Sequence, residues 1–168
     1  MLLELSIVNV ALIERLRLEL GPGLNVLTGE TGAGKSIVVD SLALAIGGRA
    51  ERDLIRSGAD RAFVEALFDV SDCTEAVSLL REWEMEVEDG LVPVSRELTA
   101  AGRSVSRVCG AALPLSKVRQ LTSLLIDMHG QHEHQQLLSP ARHLAYLDAC
   151  GDEAHAALMD EARRAVEA

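Results

Sequence analysis

Eight consecutive residues, Gly29-Glu30-Thr31-Gly32-Ala33-Gly34-Lys35-Ser36, fit the spacing G-x-x-x-x-G-K-[ST] and narrow the possible folds more than any other feature of the chain. Glycines at these positions let the backbone turn with its N–H groups aimed inward, forming an anion-binding nest at a helix start. Lys35 adds a mobile positive charge suited to the β- and γ-phosphates of a nucleotide, and the Ser36 hydroxyl has the reach to ligate Mg²⁺. Such a string carries meaning only between a strand and a helix, and both flanks supply that context. Residues 24–28 (LNVLT) read as a short strand. Residues 35–46 (KSIVVDSLALAI) contain no Gly or Pro, are apolar almost all round and end on Gly47-Gly48, which predicts a buried, glycine-capped helix. Nucleotide binding is the firm expectation.

The rest of the chain reads as alternating strands and helices. Residues 2–10 are apolar and β-branched, and residues 12–20 alternate Leu16, Leu18 and Leu20 with charged neighbours, which predicts two strands. Residues 49–61 form a polar loop with arginines at 49, 52, 56 and 61. Residues 62–70 read as a strand, and residues 74–86 as an amphipathic helix with Val77, Leu80 and Trp83 inward. Residues 91–98 and 103–109 flank a turn and predict a hairpin. Ser116 caps a helix to about Ser123, and residues 124–128 (LLIDM) read as a compact strand. Pro140 starts a helix carrying Leu144 and Leu147. Beyond Gly151, the Ala-, Glu- and Arg-rich run has few apolar anchors and predicts the first turns of a longer helix.

Composition limits the partners. With 48% apolar and 25% charged residues the chain is globular, not disordered. No apolar run is long enough to span a bilayer and no signal peptide is visible, so a cytoplasmic, membrane-free chain is expected. Cys73, Cys109 and Cys150 lie too far apart for a disulfide framework or a zinc site. Phe63, Phe68, Trp83 and Tyr146 are all the aromatics, too few for a base-stacking surface. The net charge of −10 disfavours nonspecific polyanion binding. A nucleic-acid role would need a local patch, and Arg103, Arg107, Lys117 and Arg119 are the basic candidates.

Hydrolysis needs a metal-holding acid and a group that orients water. Asp127, closing Leu124-Leu125-Ile126, has the look of a Walker B acid, which would make this a self-contained NTPase or kinase. Met128 follows it where many P-loop ATPases carry a catalytic Glu. Gln131 could instead ligate Mg²⁺ through its amide oxygen and sense the γ-phosphate. His129, His132 and His134 lie beside it, but solvated loop histidines explain them better than a metal site. A non-catalytic, nucleotide-responsive interaction module is a third reading.

Four strings carry a resemblance. They are L-x-I-x-N-x-A-L-I (Leu5 to Ile13), T-G-E-T-G-A-G-K-S (Thr28 to Ser36), R-S-G (Arg56 to Gly58) with V-E-A-x-F (Val64 to Phe68), and M-H-G-Q-H-E-H-Q-x-L-L (Met128 to Leu138). With them the chain resembles the N-terminal half of the ATPase head of the RecN family of bacterial DNA-repair proteins, relatives of the SMC ATPases. The resemblance implies an α/β fold, a P-loop NTPase of the ABC/SMC head type, here its N-terminal lobe with a mixed sheet and a P-loop helix. Residues 1–150 would form that lobe, and residues 151–168 the start of a coiled-coil helix. It implies ATP and Mg²⁺ as ligands, with Gly29 to Ser36 on the phosphates, Ser36 and Gln131 on the metal, and Lys35 and Gln131 in catalysis. Implied partners are the C-terminal half of the head, a second head across sandwiched ATP, and double-stranded DNA including its ends, in the bacterial nucleoid. Double-strand break repair and recombination is the implied role. No signature motif and no Walker B Asp-Glu pair occurs in the chain, so hydrolysis is expected only after completion by that other half.

Overall fold

The computed structural model describes residues 1–29 and 34–128, with residues 144, 147, 148, 150–152, 155, 158, 159, 161, 162, 164 and 165. It divides into two compact units, Met1–Asp127 and Met128–Ala168. In the second unit, residues 144, 147, 148, 155, 158, 159, 161, 162, 164 and 165 are helical. Among the described residues no helix is long and apolar enough to cross a membrane.

The first unit is built on six strands: β1 (Leu2–Val10), β2 (Ile13–Glu19), β3 (Arg61–Asp69), β4 (Leu91–Thr99), β5 (Ser104–Val108) and β6 (Ala111–Leu113). Their order across the sheet is β2-β1-β3-β4-β5-β6. Three helices accompany them: α1 (Lys35–Ala45), α2 (Thr74–Glu82) and α3 (Leu115–Leu125). All five ladders are antiparallel, so the parallel pairing of a mixed sheet is not found among the described residues.

Side-chain alternation creates the core. In β3, Ala62, Val64, Ala66 and Phe68 are buried while Phe63, Glu65 and Leu67 are only half-buried. Register carries that face across the sheet: Leu16, Ile7, Val64, Arg96, Ser106 and Leu113 form one transverse row. Leu18, Leu5, Ala66, Val94 and Val108 form the next. Helix α1 packs on β3, β1 and β4, and α3 packs on β5 and on α2. Burial of Phe68, Ile7, Leu44, Leu80 and Leu121 in one cluster ties both layers together.

Other expectations need correction, the Ser116 cap among them: α3 starts at Leu115 after Pro114, so Ser116 lies inside the helix. Residues 24–28 form no strand; they find no ladder partner among the described residues, and a strand cannot satisfy its backbone groups alone. Residues 124–128 form no strand either. Leu124 and Leu125 extend α3, placing Leu125 beside Leu121 and Val118 on its apolar face, and residues 126–128 have no regular structure. Helix α1 is buried on one side only, with Ser41, Leu44 and Ala45 inward and Val39 and Asp40 exposed. Helix α2 stops four residues early because Glu84 enters the left-handed region at φ +57, and the Met85 N–H then bonds the Leu80 carbonyl. Its inner face is Ala76, Leu79 and Leu80, with Val77 and Trp83 partly buried beside it.

Candidate nucleotide site

Helix α1 begins at Gly34, whose φ of +103 is a conformation that side-chain-bearing residues rarely adopt. No side chain caps this end, and no carboxylate stands in the first turn. The first-turn N–H groups and the positive end of the helix dipole lie at this start of α1, where an anion is favoured. Lys35, the first helical residue, turns its ammonium back to the Gly29 carbonyl across the loop. Ser36 follows on the same turn with its side chain exposed. Glu30, Thr31, Gly32, Ala33 and Gln131, with His129, His132 and His134, lie outside the described residues.

Beside this helix start lies a cavity of about 450 Å³, within the range of roughly 300–1,000 Å³ usual for small-molecule sites. One end is polar, with Thr28, Gly34 and Lys35. The other is a mixed wall from the β1–β2 turn and β2, with Leu12, Ile13, Leu16 and Leu18 beside Glu14 and Arg15, and with Leu27 and Val38. Lys35 at one end suits a phosphate chain, and the leucines at the other suit the apolar faces of a nucleoside. The sequence reading missed this wall, because the charged alternation of β2 signalled only a half-wet strand.

The C-terminal end of α1 is held by side chains from other elements. Gly47, at φ +109, lets its own N–H reach the Leu44 carbonyl and the Gly48 N–H reach that of Ala43. Three side chains from other elements donate to carbonyls at this end. Arg96 donates to Gly48 O at 2.7 Å and Leu44 O at 3.3 Å, Arg119 Nε to Gly47 O at 2.7 Å, and Thr122 Oγ1 to Ile46 O at 2.9 Å. Arg96 is 5% exposed, and its Nε also donates to Ser104 Oγ at 2.9 Å. Burial, and then the neighbouring Arg119 charge, pull its pKa below the ordinary guanidinium value. Two cations thus sit at the negative end of the helix dipole. A lone Arg in an alternating strand gives no sequence signal for this role.

The basic residues of the 101–130 segment lie on several elements. Arg119 is engaged with α1, Lys117 sits 4.9 Å over the Trp83 ring, and Arg107 is half-buried on the sheet face opposite Arg96. Arg103 lies in the exposed β4–β5 turn. Among the loop arginines, Arg56 donates to the Leu12 carbonyl at 2.7 Å and Arg61 lies 3.9 Å from Glu97. Asp127 is exposed and follows a helix, not the buried strand that a Walker B acid closes. Among the described residues no three His, Cys, Asp or Glu side chains are grouped to hold a metal.

Known structures share this architecture. A chain from a study of ATP-driven dimerization and DNA-stimulated activation of SMC ATPases superposes with a TM-score of 0.63 at 18% identity, covering 95% of this chain and 97% of that one. The SMC head domain from Thermotoga maritima gives 0.55 at 21% identity, over 71% of this chain and 41% of that one. The recombination mediator RecF bound to ATP gives 0.52 at 19% identity, over 67% and 27%. The fold is that of a P-loop NTPase head of the SMC and RecF type. The AAA domain family matches residues 4–162, and the chain belongs to that family.

Within it, the sequence resembles the DNA repair protein RecN. Identity is 42% with the protein of Halalkalibacterium halodurans over 88% of this chain, 40% with that of Bacillus subtilis over 94%, and 42% with that of Vibrio cholerae over 98%. The chain spans 26%, 28% and 29% of those relatives' lengths.

Proposed function

We propose that the chain is the ATP-binding part of an SMC-like ATPase that acts in DNA double-strand break repair and recombination. The observation that carries this reading is the placement of Lys35 on the first turn of α1, at the polar end of a cavity whose other wall carries Leu12, Leu16 and Leu18, with Ser36 on the same turn. The first-turn N–H groups of α1 and the Lys35 ammonium bind the phosphates of ATP, with Gly29, Glu30, Thr31, Gly32, Ala33 and Gly34 forming the cradle. The leucine-bearing wall holds the nucleoside. Ser36 and Gln131 are assigned to Mg²⁺, which supplies charge neutralisation at the β- and γ-phosphate oxygens. Gln131 also positions the attacking water. A single hydroxyl fits a cation shared with phosphate oxygens, which needs no carboxylate cage.

Residues 1–150 act as the N-terminal lobe and residues 151–168 as the start of a coiled-coil helix. The similarity to RecN supports completion of the head by a C-terminal half, dimerisation of two heads across ATP, and coupling to double-stranded DNA in the nucleoid. The SMC neighbour, whose dimerization is ATP-driven and whose activation is DNA-stimulated, supports the same coupling.

Calorimetry tests the carrying observation. Lys35→Ala removes a charged hydrogen bond to phosphate and should weaken Mg-ATP binding by about 10- to 150-fold. Turnover by the 168-residue chain should stay negligible until a complementary half is added. Unchanged affinity in Lys35→Ala, or rapid hydrolysis by the chain alone, would contradict the proposal.

A further inference from the structure

Two of the strings noted in the sequence, N-x-A-L-I and R-S-G, meet in the structure, and the ATP reading gives them no part. The β1–β2 connection is a tight one: Val10 pairs with Ile13, and only Ala11 and Leu12 lie between. Two non-glycine residues here occupy the left-handed region, Asn9 at φ +55 and Ala11 at φ +47. Conformations of this kind persist only where the surroundings enforce them.

The enforcement comes from one short segment after α1. The Ala11 N–H donates to the Leu54 carbonyl at 2.8 Å, and the Arg56 N–H donates to the Asn9 carbonyl at 3.0 Å. Val10 and Ile55 form an isolated antiparallel bridge between them. The Arg56 guanidinium completes the set by donating to the Leu12 carbonyl at 2.7 Å. Of these three hydrogen bonds, only that of the Arg56 guanidinium depends on side-chain identity, and it holds the residue at the tip. Leu12 is 73% exposed and lines the nucleotide cavity.

We infer that Arg56 is a positioning residue for the nucleoside end of the cavity: it fixes the strained β1–β2 turn so that Leu12 stands as a wall for the base and ribose. Arg56 itself touches no ligand. This inference rests on the proposed ATP site. It separates the two ends of that site, because among the described residues the phosphate end is built by Lys35 and the start of α1.

The test compares two probes, Mg-ATP and inorganic tripolyphosphate, on the 168-residue chain by calorimetry. Arg56→Ala should weaken ATP about tenfold, the scale of one lost charged hydrogen bond, and leave tripolyphosphate unchanged. Arg56→Lys, which keeps one donor for the Leu12 carbonyl, should recover most of the ATP affinity. Leu12→Ala leaves the backbone carbonyl and the fold in place and should reproduce the selective loss. ATP affinity within twofold of wild type in either alanine variant, or equal losses for both probes, would overturn the inference and leave the ATP site standing. Wild-type chain that binds neither probe would overturn both.

Discussion

Residues 2–10 and residues 24–28 are both short apolar runs with β-branched side chains, and only the first lies in a sheet. β1 is laddered on both sides, by β2 and by β3, and buries Leu5, Ile7 and Val10 to 2% exposure or less. Residues 24–28 have no ladder among the described residues, and Leu24 and Val26 are 89% and 70% exposed. The difference is one of partners, not of intrinsic preference. A strand is a relation between two segments, since each leaves a row of N–H and C=O groups for the other. The open run leads directly into the phosphate loop, while the closed one underlies the helix that follows it.

Mutations can break or sharpen this contrast. Ile7→Ala empties a fully buried site between two ladders and should cost about 2–5 kcal/mol in chemical denaturation. Arg96→Ala leaves the Leu44 and Gly48 carbonyls without their buried donor and should cost about 2–3 kcal/mol by the same measurement. Gly47→Ala forces a side chain into a left-handed position, where its Cβ would lie 2.6 Å from Arg119 Cγ. Its cost should be about 1–2 kcal/mol, read as a lowered midpoint. Val26→Ala, in the open run, should stay within about 0.5 kcal/mol of wild type. A loss comparable to that of Ile7→Ala would show that residues 24–28 are packed after all.

The smallest effect concerns pH. Glu65 lies on the half-exposed sheet face, where burial and then the nearby Glu4 charge raise its pKa above the ordinary carboxylate value. Its charged form is thus less favourable in the folded chain than in the unfolded one. The relief provided by protonation is complete below the unfolded pKa and is lost as pH rises through the folded one. Glu65→Gln should therefore be more stable than wild type at neutral pH, with the gap closing as the solution is acidified below the ordinary carboxylate range. A gap independent of pH would remove this explanation.

Much of the fold was legible because period and punctuation agreed. The alternation in β3, the β4–β5 hairpin around residues 99–103 and the glycine pair after α1 all appear where the pattern puts them. The misses share a physical cause: each turned on a distant partner or an unusual residue in a familiar role. β6 follows a two-residue turn made by Cys109 and Gly110, both at positive φ, and Cys is a poor advertisement for such a turn. The end of α2 uses Glu84 where glycine is usual. At the site, Lys35 and Ser36 were legible from spacing, whereas the Leu12 wall and the Arg96–Arg119 anchor depend on contacts more than 20 residues apart in the chain.

That anchor has a consequence for how freely the chain can vary. Arg96, Arg119 and Thr122 grip main-chain oxygens of residues 44 and 46–48, which every amino acid carries. Side chains along the solvent side of α1 can therefore drift under mutation without loosening the hold. The tolerance ends at Gly47 and Gly48, where even one added methyl group collides with its neighbours.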